Sequence, residues 1–398
     1  MTFLLGVVIF VLALLISIML HEAGHFLTAK KFGMKVTQFF VGFGQTIWST
    51  FRGETEYGVK ALPLGGFVKI TGMTALDEVD PADEPRSFRR QPGWQRIIVL
   101  AAGSFMHFAL AFFLLIVLAA GLGLENDNTT AIGTVDSCVP ATAQALSQGS
   151  CTGSLGTSPA RLAGIRPADK IIAIGGTRVR SWTQLGTVIR AQPAGRKVPV
   201  VVQRDGRQLT LTATPVTVPG RRGSYFGIGN AAIFQRTGPL SAVSYAGSAF
   251  GQVLSGSASG LAKLPAAIPD LFAKDRAKTA AGQIGSVVGA GDTAGQVVAA
   301  KIGWQSKVAY ILAIIISLNI FVGAFNLLPL LPLDGGHLAV VIFERIRAWI
   351  ARLRGKPDPG FVNMQRLIPV SVGVFALLVG FGLLLIMADI FNPVHLVQ

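Results

Sequence analysis

The chain has 398 residues, 51% hydrophobic and only 14% charged, where a soluble domain carries about 25% charged residues. Together with a mean hydropathy of +0.55, this excludes an ordinary soluble protein and predicts several membrane crossings. The net charge of +15 comes without any nucleic-acid motif, and the basic residues gather beside the apolar runs, so membrane topology is the better reading of it.

The first apolar run, FLLGVVIFVLALLISIML at 3–20, approaches the roughly 20 residues that a bilayer crossing needs. It has no basic leader and no small-residue cleavage site, so it reads as a retained helix rather than a signal peptide. It ends in HEAGH, 21–25. Ionisable groups at membrane depth cost several kcal/mol, so this placement demands a function. On a helix, His21 and His25 share one face and can bind one ion, while Glu22 is offset and can reach a water without ligating. Zinc held there would lower a water's pKa to about 7, and the carboxylate would take its proton. The bland alternative, a polar cluster stitching helices together, is disfavoured by the same burial costs.

Downstream, EYGVKALPLGGFVKITGM at 56–73 alternates in character and is split by Pro63 and Gly65-Gly66, which predicts a β-hairpin with an exposed strand edge at Phe67, Val68, Lys69 and Ile70. A second apolar run covers 97–122 and contains His107. Polar residues and short β-branched runs then return over 126–219, with Asp205-Gly206 between two alternating stretches as a hairpin signal and Ser181 as the N-cap of a short helix. This predicts a compact α+β domain. Cys138 and Cys151 fall in it and can pair if it lies outside the cytoplasm. Segment 220–306, rich in Gly, Ala and Ser, predicts amphipathic helices near the membrane surface.

The third apolar run, 308–333, leads through SLNIFVGAFNLLPLLPLDGGH. Pro329 and Pro332 break the helix just before Asp334, and irregular backbone at that depth is tolerated only against protein or a wet cavity. A hydrolytic zinc site needs a third protein ligand, and His107, Asp334 and His337 are the candidates. ERIRAWIARLRGK, 344–356, is basic and amphipathic and suits the membrane interface. The fourth run is 367–390. Lys30, Lys31 and Lys35 after the first run, and Arg86, Arg89, Arg90 and Arg96 before the second, place the short loops in the cytoplasm. Both termini and 123–306 are then outside.

HEAGH on the first span, with Asn326, Pro329 and Leu333-Asp334-Gly335 on a later one, resembles the site-2 protease family of intramembrane zinc metalloproteases, in particular the bacterial regulator-of-sigma type of actinobacteria. SPARLAGIRPADKIIAIGGTRVRSW, 158–182, resembles a bacterial PDZ domain through Ala163-Gly164-Ile165 and Asp169, with Ala168 and Gly175 departing from the usual Gly and Asn. The resemblance implies an α-helical polytopic membrane protein: four transmembrane helices, a cytoplasmic-side re-entrant β-hairpin and an extracytoplasmic α+β PDZ domain. It divides the chain into membrane core at 1–125 and 307–398, PDZ domain at 126–219 and helical linker at 220–306.

The implied enzyme is a zinc metalloendopeptidase holding one Zn2+ through His21, His25 and Asp334, with Glu22 as general base. Asn326 would contact substrate backbone or the developing oxyanion, and Gly66, Phe67, Val68, Lys69 and Ile70 would hold an unwound substrate as an added strand. The implied partners are the lipid bilayer and single-span membrane proteins of the anti-sigma-factor type, already cut by a site-1 protease, in the bacterial cytoplasmic membrane, with no nucleic acid. Ser104 and His107 stand where the family usually has Pro and Asn. A metal-ion transporter and a non-catalytic PDZ scaffold are the competing classes. A transporter would not need Glu22 as a non-ligand, and a scaffold would tolerate loss of all three ligands.

Overall fold

The computed structural model describes residues 1–73, 77–126, 128–147, 150–231, 233–273, 276, 279, 285–300 and 302–393. They form two compact units, 1–121 with 238–398, and 122–237.

The first unit opens with α1 (Thr2–Lys31), which carries the first apolar run and HEAGH in one helix and ends on Lys30 and Lys31, where cations suit the negative end of the helix dipole. Next come β1 (Val36–Arg52) and β2 (Thr55–Ile70), one antiparallel pair. The chain turns at Gly53, whose φ of 64° suits glycine, and reverses again across Pro63 and Gly65-Gly66, where the sequence suggests a reversal. Residues 38–41 run parallel to 56–59 and antiparallel to 66–69, so the two arms of β2 lie on either side of them instead of pairing with each other. Phe39 faces both Tyr57 and Val68, and Phe40 both Gly58 and Phe67. Residues 66–70 thus pair with 36–41 along one edge, and no described strand covers the other. At the turn, Glu54 accepts two hydrogen bonds from Arg86, at 2.7 and 2.8 Å, and one from Lys30 at 3.0 Å. The Arg86 bonds first, then Lys30, outweigh burial and hold its carboxyl at a pKa of about 2.

The second long helix, α2 (Gly93–Ile116), continues through a π-helical stretch at 117–122. The chain then enters the second unit, with β3 (Leu124–Asn126), β4 (Ile132–Val135), α3 (Ala143–Ser147), α4 (Pro159–Leu162), β5 (Lys170–Ile174), β6 (Thr177–Arg178), α5 (Trp182–Ala191), β7 (Val198–Arg204), β8 (Arg207–Ala213), β9 (Val216–Thr217), β10 (Ser224–Tyr225), β11 (Ile228–Asn230) and β12 (Ile233–Gln235). A four-stranded antiparallel sheet in the order β6-β5-β7-β8 organises it. Alternation in β7 buries Val198, Val200 and Val202 against Ile171 and Ile174 of β5 and Leu185 and Ile189 of α5, each contributing about 2 kcal/mol by removal from water. Asp205 and Gly206 make the β7–β8 turn with φ of 50° and 79°, as a type I′ hairpin requires. Ser181 caps α5 by accepting from the Gln184 amide. Cys138 and Cys151 are disulfide-bonded, with Cα atoms 5.9 Å apart.

Back in the first unit are α6 (Pro239–Ala267), α7 (Val287–Ala299), α8 (Trp304–Asn326), α9 (Asp334–Leu353) and α10 (Ile368–Phe391). Among the described residues, four helical stretches are long and apolar enough to cross a membrane: Thr2–Lys31, Gly93–Leu122, Trp304–Asn326 and Met364–Phe391. Their side chains are largely exposed, as lipid-facing helices must be. α10 is tied down by the buried Arg276–Asp389 pair at 2.7 Å, and Asp389 also accepts from the Ser286 amide. Near the start of α2, Arg96 bonds Glu344 of α9 at 2.8 Å, both buried.

Candidate metal centre

The site is assembled from α1, α2 and the start of α9. The four-residue spacing on α1 brings His21 Nε2 and His25 Nε2 to 3.2 Å of each other. Asp334 Oδ2 lies 3.2 Å from the first and 3.3 Å from the second. Pro329 and Pro332 end the preceding helix, and the chain reverses so that Asp334 opens α9 as its first-turn acid. Gly335 makes this possible. A Cβ there would stand 2.3 Å from the backbone of Leu327 and Leu328, so only glycine lets α9 begin so close to the end of α8.

α2 forms the opposite wall. His25 Nδ1 is 2.7 Å from the Val99 carbonyl. A carbonyl only accepts, so Nδ1 carries the proton and Nε2 keeps its lone pair. Gly103 lets α2 approach this closely, because a Cβ there would lie 2.4 Å from His25 Nε2 and 2.7 Å from His21 Nδ1.

These atoms suit a bound cation. Asp334 Oδ2 is buried without a hydrogen-bond partner, and the unprotonated Nε2 of His25 faces it. Converging lone pairs repel one another unless a cation sits among them. Two atoms each about 2.1 Å from one tetrahedral zinc lie about 3.4 Å apart, close to the observed 3.2–3.3 Å. Two imidazoles and a carboxylate are a hydrolytic donor set that leaves one position open. Among the described residues, His21, His25 and Asp334 are the one group of this kind.

Glu22 stands to the side, towards β2. A Cβ on Gly66 would be 3.5 Å from its Cγ, and the Val68 backbone hydrogen-bonds its carboxylate. The unpaired edge of 66–70 therefore runs beside Glu22. Asn326 is the last residue of α8. His337, one turn into α9, is outside the His-His-Asp group and lines a separate cavity of about 280 Å³ with Arg96 and Glu344. His107 is buried, its ring 5.0 Å from that of His21, and its Nδ1 is 2.8 Å from Asn319 Oδ1.

Sequence reasoning passed over three residues here: Gly103, Ser17 and Asn319. Asn319 bonds Ser17 at 3.0 Å, joining α8 to α1 beside the imidazoles. A readable signal existed, since Asn319 is a polar side chain within an apolar run, where a partner is needed.

A helical membrane protein with HExxH and a distant aspartate gathered in one buried cluster defines a membrane-embedded metallopeptidase. The chain belongs to peptidase family M50, whose family model matches residues 9–357. It is similar over 100% of both chains to the zinc metalloprotease Rip1 of Mycobacterium tuberculosis, at 39% identity, and to Rip1 of Mycolicibacterium smegmatis, at 37%. Metalloprotease MmpA of Caulobacter vibrioides is 28% identical over 85% of each chain. The protein is thus a multi-pass membrane zinc metalloendopeptidase of the site-2 protease family, with zinc as its cofactor.

Proposed function

We propose that His21, His25 and Asp334 hold the zinc, that Glu22 is the general base, and that the enzyme cleaves transmembrane segments of single-span proteins such as anti-sigma factors after a site-1 protease has cut them outside. The observation that carries this reading is the convergence of two imidazoles of a membrane-spanning helix with the Asp334 carboxylate of α9, with Glu22 beside them next to an unpaired strand edge.

A substrate helix has every amide bonded internally, so its carbonyls become accessible only when it unwinds. The edge at Gly66, Phe67, Val68, Lys69 and Ile70 would receive the unwound segment by strand addition. Bound zinc would supply Lewis-acid polarisation of the scissile carbonyl and a more acidic water. Glu22 takes a proton from the attacking water as its oxygen bonds to the carbonyl carbon. It then delivers that proton to the amide nitrogen as the C–N bond breaks. Asn326 holds substrate backbone or the developing oxyanion.

In the same reading, β1 and β2 form a re-entrant hairpin on the cytoplasmic side of the bacterial cytoplasmic membrane, with both termini and segment 126–219 outside. That segment acts as a PDZ domain which binds newly exposed carboxyl ends or excludes bulky substrates.

The test is zinc per chain in detergent-purified protein, followed by cleavage of a single-span substrate. About one zinc in wild type and His337→Ala, and its loss in Asp334→Ala, is the expected pattern. Loss in His337→Ala instead would move the third ligand to His337. Cleavage that survives in His21→Ala would refute the zinc-site reading.

A further inference from the structure

His107 lies on α2 one turn after Gly103, beside His21, with 41° between the ring planes. Its hydrogen-bonding state is set by its neighbours. The Ile315 carbonyl only accepts, so the Asn319 atom 2.8 Å from it is the amide Nδ2, which also reaches Ser17 Oγ at 3.0 Å. Asn319 Oδ1 therefore faces His107 Nδ1. An amide oxygen needs a proton opposite, so Nδ1 carries it and the neutral His107 ring keeps its lone pair on Nε2.

His21 has the complementary need. Its Nε2 faces His25 and Asp334, so with zinc held there its proton sits on Nδ1. That Nδ1 is buried without a hydrogen-bond partner. His25, by contrast, gives its outer N–H to Val99. Metal-ligating imidazoles almost always donate their other N–H, which fixes the tautomer and raises ligand basicity. One ring therefore has a donor without an acceptor, and the ring 5.0 Å away has an acceptor without an assigned donor.

We propose that His107 is a positioning residue for the zinc ligand His21. Its Nε2 accepts the His21 Nδ1–H, through a small ring rotation or one bridging water. The chain Ser17–Asn319–His107–His21 then ties α1, α8 and α2 to a single ligand, and the tautomer of His107 is dictated by Asn319 from 212 positions away. This rests on the zinc-site reading above.

The test uses the full-length chain in detergent micelles, with zinc affinity measured by chelator competition in wild type, His107→Leu, His107→Gln and Asp334→Ala. His107→Leu should bind zinc about 10–100-fold more weakly, and His107→Gln, which retains an acceptor oxygen, should recover most of that loss. A folded His107→Leu with wild-type zinc affinity would reduce His107 to packing and overturn the proposal.

Should His107→Leu not fold, the zinc-loaded wild type decides the matter by 15N-histidine NMR, since the chain has only five histidines. His107 protonated on Nδ1 and His21 protonated on Nδ1 are expected. His107 protonated on Nε2 would overturn the proposal. Full zinc retention in Asp334→Ala would refute the zinc-site reading itself, a result distinct from either of these.

Discussion

At the scale of single residues, the centre is held by what is absent as much as by what is present. Gly103 has no Cβ where one would stand 2.4 Å from His25 Nε2, and an overpacked site of this kind costs about 1–3 kcal/mol. Gly103→Ala should therefore weaken zinc binding at least about tenfold, because ligand atoms must move out of tetrahedral spacing. Chelator competition reads this directly, and wild-type affinity in the variant would contradict the close approach of α2. Glu22→Gln is the opposite kind of change. It keeps the shape and removes the proposed base, so cleavage should fall by roughly 10²–10⁴-fold while zinc per chain stays at the wild-type level. Loss of zinc together with activity would mean that Glu22 ligates. HEAGH and LDGG were legible as chemistry because ionisable groups in apolar runs need a reason. Gly103 was not, since a glycine in an apolar helix looks the same whether lipid or an imidazole faces it.

At the scale of elements, the four apolar runs were readable from length and hydropathy alone, and four crossing-length helices are found among the described residues. The hairpin was legible in part. Pro63 and Gly65-Gly66 do mark a reversal, but the turn at Gly53 and β1, which lies between the two arms, are not anticipated. Its sequence, VTQFFVGFGQTIWSTFR, carries mixed alternation because residues 36–41 have partners on both edges, which blurs a period-2 signal. The same pairing leaves 66–70 with a single covered edge. Val68→Pro removes a backbone donor from that edge, the one that also bonds the Glu22 carboxylate. It should cut cleavage at least about tenfold if substrate adds there as a strand, with zinc content unchanged. Unimpaired cleavage in this variant would place substrate elsewhere.

At the scale of the whole molecule, the two compact units rest on different physics, and pH distinguishes them. The membrane unit is held by helix packing and buried pairs such as Arg276–Asp389, whereas the 122–237 unit has an apolar core of its own. In that core, burial pushes the Asp169 carboxyl up, but two bonds from Arg204 at 2.7 Å and one from the Arg166 amide at 2.8 Å outweigh it and hold the pKa below the ordinary value. A carboxyl whose folded pKa is depressed stabilises the fold above its unfolded pKa of about 3.9, and that contribution is lost as pH falls through the folded value. Hydrogen exchange in the full-length chain should therefore show β5 and β7 amides losing protection below about pH 4. Arg204→Leu strips the main charge partner from a buried carboxylate, which costs about 3 kcal/mol near neutrality. The same substitution raises the folded pKa of Asp169, so acid should remove less further protection than it does in wild type. If the acid loss is equally steep in Arg204→Leu, Asp169 is not the group responsible, and the pairing with Arg204 is an ornament of the surface rather than a support of the fold.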